Sequence, residues 1–206
     1  MEPFRLVTGV AASLPMENIN TDAIMPTRWI VNNKDLGEGL FGVWRYRLDG
    51  SEQPDFVLNQ EPYRQSRILL GGPNFGCGSS REEAVWGLAR FGIRCVIAPS
   101  FGDIFQENAF KNGLLPLVLP SDAMAALSAA MDGSNSRELT VDLEDCTIRT
   151  PDGTRIAFAI DPARRQFLLD GLDEIDLTLK LSDEFEQFQD RDRRERPWIY
   201  GESTPA

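Results

Sequence analysis

The middle of this chain alternates strand and helix with almost nothing between them. "RILLGG" reads as a buried strand and "SREEAVWGLARFG" as a helix closing on Gly92. "RCVIAPS" reads as a second strand, "GDIFQENAFKNG" as a second helix closing on Gly113, and "LLPLVLP" as a third strand. Strands and helices in succession with short joints imply parallel pairing, with the helices packed on the sheet. The chain has 206 residues, and one of this size buries about 70% of the surface it exposes unfolded, so a substantial core is expected.

The flanks are less regular. Up to about Arg67, "LPMENINTDAIMP", "DLGEGLFG" and "LDGSEQPD" are turn-rich punctuation between short apolar stretches. After the third strand, "SDAMAALSAAMDG" predicts a helix with Ser121 as N-cap and Gly133 as its stop. "ELTVDL", "CTIRT" and "RIAFAI" alternate with period two around "PDGT", as a β-meander does. "DPARRQFLLDG" predicts a short helix, and "LSDEFEQFQDRDRRERPW" a charged surface helix near the end. With no repeat and no flexible linker, residues 1–206 read as a single α/β domain.

Charge and composition remove several functions. A net charge of −11 argues against a nucleic-acid surface or an anionic membrane, so any anion site must concentrate its cations locally. The N-terminus lacks the basic and apolar regions of a signal peptide. No run approaches the ~20 apolar residues that span a bilayer. Cys77, Cys95 and Cys146 are scattered and odd in number, which fits a reducing cytosol and forms no metal or disulfide pattern. The absence of histidine excludes histidine-based catalysis and the usual zinc ligand sets. Three scattered thiols also fall short of the four that an iron–sulfur cluster usually takes.

The residues that stand out run from 74 to 92, "NFGCGSSREEAVWGLARFG". Gly76 and Gly78 permit a tight turn between strand and helix, and amides at a helix N-terminus form an anion site. Ser80 as N-cap with Glu83 at N3 would make a capping box, and Ser79 with Glu82 repeats the pattern one residue earlier. Arg81 then falls in the first helical turn, where partial positive charge disfavours a cation. Its planar fork suits a carboxylate or phosphate. The plainer reading is a solvated arginine beside two capping serines. A nucleotide-binding reading lacks the third glycine of GxGxxG and the GK[ST] of a P-loop.

"NFGCGSSRE" and the following "AVWGLARFGIRCVIAPSFGDIFQENAFKNGLLPLVLP" resemble the aconitase swivel-domain family, and within it the small subunits of 3-isopropylmalate dehydratases. "INTDAIMP", "GEGLFGVWRY", "PDFVLN", "DPARRQFLLDGLDEI" and "ERPW" sit in family order, so the resemblance spans nearly the whole chain. It implies a swivelling β/β/α domain like the aconitase C-terminal domain, with a β-rich N-terminal third and a charged C-terminal helix. It also implies a hydro-lyase of leucine biosynthesis, cytoplasmic and active only with a large subunit. That partner carries a [4Fe–4S] cluster, and this chain binds none.

By motif position Ser79 becomes the general base, with Ser80 and Arg81 binding a substrate carboxylate and Asp22 completing the polar shell. Lys34 could help neutralise a carboxylate or be a solvated loop lysine, and Trp29 and Ile30 could line the pocket or pack the core. Cys77 reads better as a small buried thiol than as a reactive one. Glu83 stands where the family usually has histidine, and "RWIVNNKDLGEG" is shorter than its usual counterpart. A methylmalate, citraconate-type or dimethylmalate enzyme therefore stays open as the substrate alternative, and a non-catalytic anion- or nucleotide-binding domain as the other class.

Overall fold

The computed structural model of the chain describes residues 1–31, 35–172 and 174–201. They gather into two compact units, Met1–Gly171 and Leu172–Ala206. Among the described residues the first unit holds seven strands: β1 (Leu6–Leu14), β2 (Ile68–Gly71), β3 (Cys95–Ala98), β4 (Leu115–Val118), β5 (Glu138–Asp142), β6 (Thr147–Arg149) and β7 (Arg155–Ala157). They form one sheet in the order β4-β3-β2-β1-β5-β6-β7. Pairing is parallel from β1 through β4, as the alternation of strand and helix requires. It is antiparallel from β1 through β5, β6 and β7, the expected meander.

Eight helices accompany this sheet among the described residues. Four are short and precede β2: α1 (Thr21–Ile24), α2 (Thr27–Val31), α3 (Leu36–Gly39) and α4 (Gly42–Arg45). The others are α5 (Glu82–Phe91), α6 (Asp103–Lys111), α7 (Ser121–Asp132) and α8 (Pro162–Asp170). The second unit contains α9 (Glu174–Leu179), the charged α10 (Ser182–Glu195) and a 3-10 turn, Pro197–Tyr200. Asp192 of α10 is buried and accepts hydrogen bonds from Tyr200 Oη at 2.8 Å and Arg196 Nε at 2.5 Å.

The sheet separates two apolar clusters because successive strand residues face opposite sides. Ile68 and Leu70 of β2, Cys95 and Ile97 of β3, and Val7 and Ala11 of β1 pack with Leu127 and Met131 of α7 and Leu168 of α8. Leu69, Val96, Ala98, Ala12 and Leu14 pack with Ala84, Val85 and Leu88 of α5 and with Ile24 and Met25. Every residue of β2 and of β3 is buried, which explains their unbroken apolar sequences. Burial also pushes the Cys95 thiol pKa up, so that sulfur is a packing group.

Three expectations need correction. The N-terminal third is not β-rich: β1 is its one strand among the described residues, followed by short helices. Helix α7 begins at Ser121 with Pro120 as its cap, so Ser121 is the first helical residue. Helix α5 begins at Glu82 with Arg81 as a cap residue that makes no side-chain capping bond, so neither serine closes a capping box. Arg81 consequently precedes the first turn, and Glu82 and Glu83 supply the negative charge that this turn favours.

The short helices are held by a buried cation that sequence reading missed. Arg45 is 6% exposed. It donates from Nη1 to the carbonyls of Gly37 at 3.2 Å and Glu38 at 3.3 Å, and from Nε to Asn59 Oδ1 at 3.0 Å. These carbonyls belong to α3, a helix of four residues, so the guanidinium supplies donors to carbonyls that no following helical turn can satisfy. Burial lowers its pKa from the ordinary arginine value.

Two stability tests follow from this packing. Leu69→Ala empties a fully buried site and should cost about 2–5 kcal/mol in urea denaturation, whereas Leu48→Ala at a fully exposed position should stay within about 0.5 kcal/mol. Gly76 has φ +73°, and a Cβ there would lie 2.2 Å from Cγ of Phe105, while Gly153, φ +88°, has open space around it. Gly153→Ala should therefore cost about 1–3 kcal/mol from the backbone alone. Gly76→Ala should lower Tm distinctly further; equal losses would show that Phe105 yields without penalty.

Candidate functional site

Strands β1, β2 and β3 run parallel side by side, so the three loops leaving their C-terminal ends emerge on one edge of the sheet. That edge is where open parallel sheets place ligands. Backbone hydrogen bonds tie the loops together. Gly76 N donates to Ile19 O at 2.7 Å and Thr21 N to Cys77 O at 2.9 Å, joining the first loop to the second. Phe75 N donates to Ser100 O at 3.0 Å and Gly102 N to Phe75 O at 2.9 Å, joining the second to the third. Gly102 is required for the close approach, because a Cβ there would stand 2.7 Å from the carbonyl oxygen of Gly76.

The side chains continue this lacing. Asn20 caps α1 by accepting from Ala23 N at 2.8 Å. This turns Thr21 inward, 1% exposed, and leaves Asp22 outward. Thr21 Oγ1 lies 3.0 Å from the carbonyl oxygen of Ser79 and 3.2 Å from its Oγ. Asp22 Oδ1 lies 2.5 Å from Arg81 Nη1, and the same nitrogen donates to Thr27 Oγ1 at 3.1 Å. Among the described residues Nε and Nη2 of Arg81 make no hydrogen bond or ion pair. Gly78, φ +100°, sets the turn that presents Ser79 and Ser80, both exposed.

The expected residues therefore divide. Asp22, Ser79 and Arg81 come together through α1 and the Gly-rich loop. Ser80 lies between Ser79 and Arg81 and makes no side-chain hydrogen bond among the described residues. Trp29 and Ile30 are half-buried against the cluster under α5, and Trp29 packs on Tyr46 with ring centroids 5.5 Å apart. Lys34 lies outside the described residues. Cys77 is half-buried and forms no disulfide.

Sequence reading missed Thr21 and Thr27, whose partners lie 58 and 54 residues away. Each sits in or beside "TDAIMP", and that motif was the available signal.

The donor set does not suit a resident metal. Among the described residues no group of three or more Cys, Asp or Glu side chains could hold an ion. The site offers instead a guanidinium, hydroxyls and backbone amides, groups whose chemistry suits a carboxylate and proton transfer at oxygen. Among the described residues no helix is long and apolar enough to cross a membrane.

The comparisons with known proteins agree with this architecture. The family described as Aconitase C-terminal domain matches residues 1–122, and one described as LeuD_N matches residues 127–162. A 3-isopropylmalate dehydratase small subunit of Rhodospirillum centenum is 50% identical over 203 residues, covering 98% of this chain and 100% of that one. One from Gluconacetobacter diazotrophicus is 53% identical over 201 residues, covering 96% of this chain and 97% of that one. A crystal structure of a 3-isopropylmalate dehydratase from Methanocaldococcus jannaschii shares the fold, with TM-score 0.64 and 22% identity over 89% of this chain and 99% of that one. With a matching family model over residues 1–122 and about half of all positions identical over nearly the full length, this chain belongs to the aconitase C-terminal domain family, among the 3-isopropylmalate dehydratase small subunits.

Proposed function

We propose that this chain is the small subunit of a 3-isopropylmalate dehydratase, a hydro-lyase of leucine biosynthesis, with residues 1–206 serving as one functional subunit. It interconverts 2- and 3-isopropylmalate by removing and restoring water, together with a cytoplasmic large subunit that carries the [4Fe–4S] cluster. One observation carries the reading of the site. Arg81 already holds a carboxylate, that of Asp22, two residues from an exposed serine on a glycine-shaped loop.

The roles follow from that geometry. Arg81 and Ser80 bind a carboxylate of the substrate, Arg81 through the free Nε–Nη2 edge of its fork. Asp22 and Thr27 fix the guanidinium from the opposite side. Ser79 takes the proton from the carbon beside the leaving hydroxyl and returns it on rehydration. A serine oxygen is a weak base, so it needs nearby cations and directed donors to stabilise its anion. Arg81 and the amides leading into α5 are such groups. Holding the substrate carboxylate on Arg81 also withdraws electrons from the neighbouring C–H bond.

The test is the anaerobically reconstituted complex with the cognate large subunit, assayed with 3-isopropylmalate and with citramalate. Preference for 3-isopropylmalate is the expected result. Preference for the smaller acid would retain the hydro-lyase and discard the pathway. Ser79→Ala should lower kcat by roughly 10²–10⁴-fold, the usual worth of a general base. Arg81→Lys keeps the charge and loses the fork, so KM should rise roughly tenfold or more, one charge-assisted hydrogen bond being worth about 1.5–3 kcal/mol. A Ser79→Ala enzyme with full activity would remove Ser79 as the base.

A further inference from the structure

We propose that Thr21 is a positioning residue for Ser79. Its buried hydroxyl fixes the resting serine side chain, then turns to donate to the serine oxygen when that oxygen carries negative charge. The proposal rests on the reading of Ser79 as the base.

Hydrogen-bond bookkeeping at Thr21 carries the inference. A hydroxyl has one proton to donate. The carbonyl oxygen of Ser79, 3.0 Å away, can only accept, so Thr21 spends its proton there. In the 3.2 Å contact between the two hydroxyls Thr21 is then left as acceptor and Ser79 as donor. The serine proton is thus directed inward onto a group that is 1% exposed, while Ser79 itself remains exposed towards a substrate.

Thr21 is well suited to hold this position. A β-branched side chain is stiff at χ1. The Thr21 backbone is pinned on both sides, its N–H donating to Cys77 O at 2.9 Å and its carbonyl accepting from Met25 N at 2.9 Å. Two acceptors therefore stand within reach of one rotatable O–H, the carbonyl and the Oγ of the same serine.

Ser79 is exposed, so its proton passes to solvent water when the alkoxide forms. That oxygen then outcompetes the neutral carbonyl for the Thr21 proton, because charge-assisted hydrogen bonds are roughly twice as strong as neutral ones. On proton transfer the substrate C–H bond breaks and an O–H bond forms at Ser79. The C–H electron pair becomes the carbon–carbon double bond, and the hydroxyl leaves with its bonding pair, to depart as water once protonated. The large subunit of the proposed complex would supply the Lewis acid and proton donor for that departure. Thr21 then turns back to the carbonyl and again accepts from Ser79. Its donation is strongest when Ser79 is charged, so it contributes to turnover and not to substrate binding.

The experiment compares wild type, Ser79→Ala, Thr21→Val, Thr21→Ser and the Ser79→Ala/Thr21→Val double variant in the reconstituted complex. Thr21→Val is isosteric and should lower kcat by roughly 10²-fold, with KM unchanged, as for loss of one donor to a developing oxyanion. Thr21→Ser keeps the hydroxyl and should restore kcat. In the Ser79→Ala background Thr21→Val should have no further effect, since residues acting as a unit are non-additive. Unchanged kcat in Thr21→Val, a change confined to KM, or Thr21→Ser as slow as Thr21→Val would each overturn the proposal.

If Thr21→Val fails to assemble with the large subunit on gel filtration, Thr21→Cys replaces it, keeping the volume with a weaker donor, and is read in the same way. An inactive wild type, or an active Ser79→Ala, would instead sink the base assignment, and the role of Thr21 with it.

Discussion

Everything at this site depends on three strands pointing the same way. Parallel pairing of β1, β2 and β3 delivers three loops to one edge, and loops that meet there must satisfy one another's backbone groups or leave them orphaned. The Gly76–Ile19 and Phe75–Ser100 hydrogen bonds answer that requirement. They hold residues from the N-terminal segment and from the middle of the chain in one constellation. The glycines are consequences of this lacing: Gly102 because a backbone carbonyl passes too near, Gly76 because Phe105 fills the space a side chain would need.

The same constraint explains an arginine beside a helix start. At the N-terminus of α5 the helix dipole opposes a cation. Glu82 and Glu83 occupy the first turn and offset it, while Asp22, brought across by the first loop, pairs with the guanidinium directly. In a chain of net charge −11, these contacts fix one positive charge at this edge.

The strands β2, β3 and β4 were legible because each is an apolar run closed by a glycine or proline and almost wholly buried, and the helices between them were legible by their closing glycines, Gly92 and Gly113. β1 was not. "LVTGVAASL" mixes exposed, half-buried and buried positions and includes Gly9, because it is the seam at which parallel pairing changes to antiparallel. The start of α5 was misplaced for a different reason: two overlapping serine–glutamate spacings imitate a capping box, but Ser79 is already bonded to Thr21 and neither serine caps the helix. Ser79, Arg81 and Asp22 were legible as motif positions. The hydroxyls of Thr21 and Thr27 were not, since a contact across 58 or 54 residues leaves no local pattern.

Asp22 raises a question of energetics, because a carboxylate that holds Arg81 also competes with any incoming one. Its side chain is 60% exposed, and an ion pair so open to water is worth roughly 0–1 kcal/mol. Such a pair is strong enough to bias the rotamer of Arg81 and too weak to exclude a ligand. Asp22 and Thr27 moreover share a single nitrogen, Nη1, so the Nε–Nη2 edge stays available for a bidentate carboxylate. On the proposed reading, a substrate carboxylate would add to the guanidinium without first displacing Asp22. The side-chain entropy of ordering Arg81 is then met before binding, which offsets part of the repulsion between Asp22 and an incoming carboxylate.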